Sequence, residues 1–336
     1  MIREAISTLV AGQDLTRETV VAAMTEIMGG ETTPAQTASF ITALAIKGET
    51  IDEITGCAEV MREKATRVRA EEPFVDVVGT GGDKSGTFNI STAAALVVAG
   101  AGVRVAKHGN RGVSSHSGSA DVLCELGVNL EADVPTVERC IAEATIGFMF
   151  APKLHSAMKH AIGPRREIGI RTVFNILGPL TNPAGARHFL LGVFSAEMVK
   201  VMADVLKNLG AEHAYVVHGE DGLDEITTTD ETLVAELGGG EIKTYRIKPE
   251  DFGISRASRD DLTVDSPEES AAVVRSVLAG ETGPARDIVV LNAGAAISAV
   301  GAAPDIASGI RAAEESTDSG AAAEMLDRLV RISGGE

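Results

Sequence analysis

From Phe74 onward, short apolar runs alternate with Ala-rich stretches that end in glycine, and this alternation limits the fold more than any other feature of the chain. "FVDVV", "VRVAKHG", "IGFMFAP", "HAYVVHG" and "RDIVVLNAG" read as strands. Between them "STAAALVVAGAG", "SGSADVLCELG", "TVERCIAEA", "AEMVKVMADVLKNLG" and "SPEESAAVVRSVLAG" read as helices, and another Ala-rich helix follows the last strand. Such alternation predicts an α/β fold, a mostly parallel central sheet flanked by helices.

The first 70 residues break the pattern and read as helical throughout. "TPAQ" (33–36) and "TIDE" (50–53) are capping boxes, and "ASFITALAIKG" between them is mostly apolar. The predicted organisation is a small all-helical domain over 1–70, joined by helices from about 165–190, and a large α/β domain over 71–336. The block 151–185 is dense in His, Arg, Lys, Pro and Gly. A helix starting near Lys153 would put His155 and Lys159 on one face; the plainer reading of the block is a hinge or crossover between domains.

Charge narrows the function. Thirty Lys and Arg against 48 Asp and Glu give −18, which disfavours nucleic acid and anionic membrane as partners. Aromatic content of 3% argues against a stacking platform for single strands. No apolar run is long enough to span a bilayer. Cys57, Cys124 and Cys140 lack metal spacing and fit a thiol-reducing cytoplasm.

Three constellations carry chemistry. "VDVVGTGGDKSGTFNIST" (75–92) runs from a strand through glycines to Asn89, Ser91 and Thr92 at a helix start. It fits neither the P-loop nor the dinucleotide fingerprint. Free backbone N–H groups and hydroxyls at a helix N-terminus nevertheless suit phosphate oxygens. The second strand ends in "AKHGNRGVSSHSGSAD", with Lys107 and several serines in a loop that would face the first across a crevice beyond the strand ends. "HGEDGLDE" (218–225) offers Asp221, Asp224 and Glu225, either a surface acidic turn or a magnesium site, since Mg²⁺ takes one or two carboxylates plus substrate phosphates.

"GTGGD", "NIST", "KHGNR", "SSHSGSADVL", "FAPKLHSAMKHA", "RTVFNILGPLTNP" and "DGLDE" stand in an order and spacing that resembles the anthranilate phosphoribosyltransferases over most of the chain, least after about residue 250. The resemblance implies a fold of the nucleoside phosphorylase and phosphoribosyltransferase type and a homodimer of tryptophan biosynthesis. It implies Mg²⁺-dependent transfer of the phosphoribosyl group of phosphoribosyl pyrophosphate (PRPP) to the amine of anthranilate. It assigns PRPP to Gly79, Gly82, Asp83, Thr87, Asn89, Ile90, Ser91, Thr92, Lys107, Ser115 and Ser119. Anthranilate falls to Gly79, His108, Asn110, His155, Arg165 and Gly178, with Pro179 shaping its channel, and the metal to Ser91, Asp224 and Glu225. Gly112, His116 and Ser156 depart from the family pattern without removing any of these ligands.

No side-chain nucleophile is expected. Orientation of two bound substrates supplies roughly 7–11 kcal/mol, and Lys107 and Arg165 add electrostatics. Arg165 would meet the anthranilate carboxylate as a planar fork, with Arg166 and Arg171 as rivals. Two other readings remain at this stage: a pyrimidine-nucleoside phosphorylase of the same fold, and a non-catalytic nucleic-acid-binding relative.

Overall fold

The computed structural model describes residues 1–83, 85–112 and 118–335. Four helices open the chain: α1 (Ile2–Val10), α2 (Arg17–Gly29), α3 (Pro34–Lys47) and α4 (Ile51–Lys64). Both expected capping boxes are formed, Thr33 with Gln36 and Thr50 with Glu53. α1 packs on α3 and α2 on α4, and the helix Lys159–Ile168 lies against α2 and α3. Glu53 is wholly buried, yet its oxygens accept the Leu15 and Thr50 N–H groups and the Lys47 ammonium, which offsets the cost of desolvating it.

A seven-stranded sheet follows. Its strands are β1 (Phe74–Gly79), β2 (Arg104–Gly109), β3 (Ile146–Phe150), β4 (His188–Gly192), β5 (His213–Gly219), β6 (Thr232–Gly238) and β7 (Glu241–Ile247), in the spatial order β3-β2-β1-β4-β5-β6-β7. β1 to β5 are parallel, and β6 and β7 add an antiparallel hairpin at one edge. The sheet is apolar on both faces. Val75 and Val77 of β1 face the helices of the C-terminal half, while Phe74, one residue away, faces the layer that includes α1–α4.

Two expectations fail. "RDIVVLNAG" is not a strand but the middle of a 16-residue helix, Pro284–Ala299, buried almost throughout. A continuous apolar run has no face to betray its period, so a buried helix and a buried strand read alike. The segment near Lys153 is not one helix either. Ala151–Leu154 stops at His155 (φ −113°, ψ 57°), and a 3₁₀ turn, Ser156–Met158, intervenes before the helix at Lys159. His155 is therefore buried while Lys159 is exposed. β4 and the β6–β7 hairpin are strands without a sequence-based expectation; the hairpin turns at Gly239–Gly240, both in the left-handed region.

Candidate active site

Beyond the carboxyl ends of β1, β2 and β5 lies a crevice of about 370 Å³. The glycine loop forms one wall and the loop after β2 the opposite wall, as the motif order predicts. Asp224 and Glu225 close it from the loop after β5, and Arg165, Phe174 and Gly178 from the central block.

The glycine wall is shaped by close approach. A Cβ on Gly79 would stand 2.5 Å from Asp224 Oδ2, and one on Gly192 only 1.5 Å from the Asp224 carbonyl oxygen. Both positions must be glycine for the acidic loop to reach the sheet. The Gly81 N–H donates to Asp224 Oδ2 at 2.7 Å. Asn89 caps the helix Ile90–Gly100, its side chain accepting the Thr92 N–H at 3.0 Å.

Lys107 is buried on β2. Its ammonium donates to the Val77 carbonyl (2.6 Å) and to Ser91 Oγ (3.2 Å). Burial pulls its pKa down, opposed by the charges of Asp76, Glu225 and Asp224. Asp76, on the neighbouring strand, has its carboxyl pushed up to about 6 by burial, against the Asn182 amide, the Lys107 charge and the His108 N–H. Asn182 Nδ2 reaches it at 2.7 Å and the His108 N–H at 3.2 Å.

The acidic loop is anchored from below. Asn292, in the helix Pro284–Ala299, accepts the Ile226 N–H and donates to the Ile226 carbonyl. Asp221 is spent on the loop's own frame, holding Thr227 Oγ1 at 2.8 Å and the Leu223 N–H at 3.2 Å. That leaves Asp224 and Glu225 for the crevice. Burial, then the nearby charge of Asp83, pushes Asp224 up to about 7, and burial with the charge of Asp224 pushes Glu225 well above its ordinary value. Asp224 and Glu225 are hard oxygen donors of the kind Mg²⁺ takes one or two of, beside substrate phosphates. Among the described residues no group of three or more His, Cys, Asp or Glu is placed to hold a metal ion by itself.

On the opposite side Arg165 stacks its guanidinium over Phe174 at 5.0 Å and has no acidic partner among the described residues. Burial lowers its pKa. Of its rivals, Arg166 is exposed and absent from the crevice wall, and Arg171 is tied to the Gly82 carbonyl and stacked over Phe194. His108 Nδ1 lies 3.1 Å from the Gly178 carbonyl and must carry the proton there; its Nε2 therefore accepts from His155 Nε2–H, also at 3.1 Å. Burial pushes His108 down to about 3 and His155 to about 4, so both rings are neutral at pH 7.

Of the expected site residues, Gly79, Gly82, Asp83, Thr87, Asn89, Ile90, Ser91, Lys107, His108, Asn110, Ser119, Arg165, Gly178, Asp224 and Glu225 line this one crevice. Thr92 and His155 stand behind it, Thr92 in the first helical turn and His155 behind His108. Ser115 lies outside the described residues. Asp76, Asn182 and Asn292 went unanticipated. Their signal is a single polar residue inside an apolar run, visible at Asp76 in "FVDVV" and at Asn292 in "IVVLNAGAA".

The chain matches two family models, "Glycosyl transferase family, helical bundle domain" over residues 3–65 and "Glycosyl transferase family, a/b domain" over residues 71–323. It is 54% identical to an anthranilate phosphoribosyltransferase of Acetivibrio thermocellus, covering 99% of this chain and 96% of that one. A counterpart from an Anaeromyxobacter strain is 55% identical, with 98% of each chain covered. Among solved structures, the anthranilate phosphoribosyltransferase of Thermus thermophilus superposes with a TM-score of 0.93 at 45% identity, over 98% of this chain and 99% of that one. The Saccharomyces cerevisiae enzyme in complex with PRPP and Mg superposes with a TM-score of 0.91 at 27% identity, over 100% and 98%.

Proposed function

The chain belongs to the anthranilate phosphoribosyltransferase family, and from that premise we propose how its crevice divides the work of joining two substrates. The reaction moves the 5-phosphoribosyl group of PRPP to the amine of anthranilate, giving N-(5-phosphoribosyl)anthranilate and pyrophosphate, in tryptophan biosynthesis. The C1–O bond to pyrophosphate breaks and takes its electron pair with the leaving group. The amine lone pair forms the C1–N bond, and the amine then releases one proton.

PRPP lies on the glycine wall, against Gly79, Gly82, Asp83, Thr87, Asn89, Ile90 and Ser91, with Thr92 behind and Ser119 at the far side; Ser115, outside the described residues, is assigned to it by the family resemblance alone. Backbone N–H groups at the start of the helix Ile90–Gly100 meet its phosphate oxygens. Lys107 supplies a positive charge already fixed by two hydrogen bonds, so little reorganisation is left for the transition state. A magnesium ion held by Ser91, Asp224 and Glu225 supplies charge neutralisation for the leaving pyrophosphate. Anthranilate enters past Gly178. Its carboxylate meets Arg165, and Asn110 and the neutral His108, backed by His155, set the plane of its ring.

The observation that carries this reading is the pairing, in one crevice, of a buried acidic cluster whose carboxyl groups stay raised despite the Lys107 charge with a half-buried guanidinium that has no acidic partner among the described residues. The test is loss of anthranilate fluorescence on mixing with PRPP and Mg²⁺. Unchanged fluorescence with all three present would sink it.

The same reading divides the chain into a helical domain over 1–70, joined by helices from about 165–190, and an α/β domain over 71–336. It makes the protein a homodimer. Val10 on α1 is 74% exposed and Ile46 on α3 is 80% exposed, an apolar surface that a second copy would cover. Sedimentation at a mass near 34.8 kDa at micromolar concentration would remove the dimer. The three cysteines are free, as suits a cytoplasmic protein. No described helix is long and apolar enough to cross a membrane.

A further inference from the structure

A second cavity, about 930 Å³ and larger than the crevice, opens where the chain passes twice between the helical layer and the sheet. One wall is the end of α4, carrying Arg62, with the connection from α4 to β1, carrying Arg67 and Arg69; the other is the connection into β4, carrying Asn182 and Pro183. The two connections are tied by the Val68 N–H, which donates to the Pro183 carbonyl at 3.3 Å.

The charge here is unbalanced. Arg62 is held by two carbonyl oxygens, Leu180 at 2.6 Å and Leu209 at 3.1 Å, and by no carboxylate among the described residues. Burial pulls its pKa down to about 10, opposed by Glu59. Arg67 and Arg69 are exposed and make no side-chain ion pair or hydrogen bond among the described residues. The acid on the cavity wall, Glu138, accepts the Arg69 backbone N–H at 2.8 Å rather than a guanidinium. In a chain with 48 acids and 30 bases, three arginines share one cavity whose wall carries a single acid.

Guanidinium forks match tetrahedral oxyanions in geometry and charge. The remaining wall, which includes Val68, Val134 and Pro135, offers an apolar body a place beside them. We propose that the cavity lined by Arg62, Arg67 and Arg69 is a second anion site, separate from the crevice, that takes a phosphate-type dianion, free or borne on a small phosphomonoester. Its position suits an effector. Arg62 grips Leu180, in the same short turn as Gly178, and Asn182 grips Asp76, which holds the His108 N–H.

The test is calorimetric titration of the full chain with inorganic phosphate, and in parallel with glycerol 1-phosphate, after PRPP and Mg²⁺ have saturated the crevice. One further site is expected. R67A/R69A should weaken it at least tenfold while leaving the PRPP titration unchanged, which also shows that the variant is folded. The parallel arms tell a free-phosphate site from one that prefers the ester. The site is overturned if neither anion binds once the crevice is filled, or if both bind the variant as they bind the parent. Should PRPP itself fail to bind the parent, the crevice reading fails instead, and phosphate binding sensitive to R67A/R69A would still report this cavity.

Discussion

The two sides of the crevice are built on opposite defects. Around Asp224 and Glu225 negative charge is concentrated and buried with Lys107 as the opposing cation; burial raises both carboxyl groups, with the charge of Asp83 adding at Asp224 and that of Asp224 at Glu225. At Arg165 a guanidinium is half-buried over Phe174 with no acidic partner among the described residues. Either defect alone costs stability. Together they define complementary guests: a metal-bound polyanion at one side and a carboxylate at the other. The surrounding frame holds both defects in place, through Asn292 beneath the acidic loop and Phe174 beneath the arginine.

The largest expected effect breaks the acidic side. D224N/E225Q should lower turnover at limiting Mg²⁺ by roughly a hundredfold or more, since metal neutralisation of a leaving group is worth several kcal/mol. The variant should remain folded, because two repelling carboxylates are removed. A parental rate across a magnesium titration would show that these residues do not hold the metal.

Next is the cationic side. R165A should raise the KM for anthranilate roughly tenfold to hundredfold, the cost of a lost charge-assisted hydrogen bond at about 1.5–3 kcal/mol, with little change for PRPP. Lysine should rescue only part, because a point charge cannot reproduce a fork. Equal damage to both KM values with a lowered Tm would make Arg165 a structural residue between the domains.

A third prediction sharpens the comparison through pH. Asp224, raised from the ordinary carboxylate value to about 7, favours the folded state when protonated. Its stabilisation is complete below about pH 4 and is lost as pH rises through about 7; Glu225 acts in the same direction. Mg²⁺ should therefore raise Tm more at pH 8 than at pH 5. At a hundredfold excess over Kd the gain is about 2.7 kcal/mol, a few degrees for a chain of this size. Equal shifts at both pH values would mean that the metal does not meet these carboxylates.

The crevice was more legible than the frame that holds it. The glycine loop, Lys107 and the "DGLDE" acids announce themselves because local sequence dictates their chemistry: glycine for close approach, hydroxyls at a helix start, acids in a tight turn. β1, β2, β3 and β5 were equally plain. What escaped depends on distant partners. Asp76 is intelligible only beside Asn182, 106 positions away, and Asn292 only beside Ile226, 66 positions away. The helix Pro284–Ala299 is buried on every side from Ile288 onward, so its period is invisible. The break at His155 follows from that ring's burial against His108, a contact that local helix spacing does not foresee.

The smallest effect concerns that histidine pair, which answers pH in the opposite sense from the acids. His108 and His155 are pushed below the usual imidazole value, chiefly by burial. Their contribution is therefore present above about pH 6.5 and is lost as pH falls toward 4, where the unfolded chain takes protons that the folded one refuses. His155 faces His108 with its Nε2–H and leaves Nδ1 buried without a partner among the described residues. H155Q can keep the donated hydrogen bond while removing one titrating ring. It should hold the KM for anthranilate within about threefold, since a bond worth about 1 kcal/mol is retained. It should also make urea stability fall less steeply between pH 7 and 4.5. H155L keeps the flatter acid limb but leaves His108 Nε2 buried and unpaired, and should cost about 1–3 kcal/mol at pH 7. Urea unfolding of the three proteins at pH 7, 5.5 and 4.5 separates the two contributions. If H155Q loses stability toward acid as steeply as its parent, the ring is not held neutral, and His108 must owe its orientation to the Gly178 carbonyl alone.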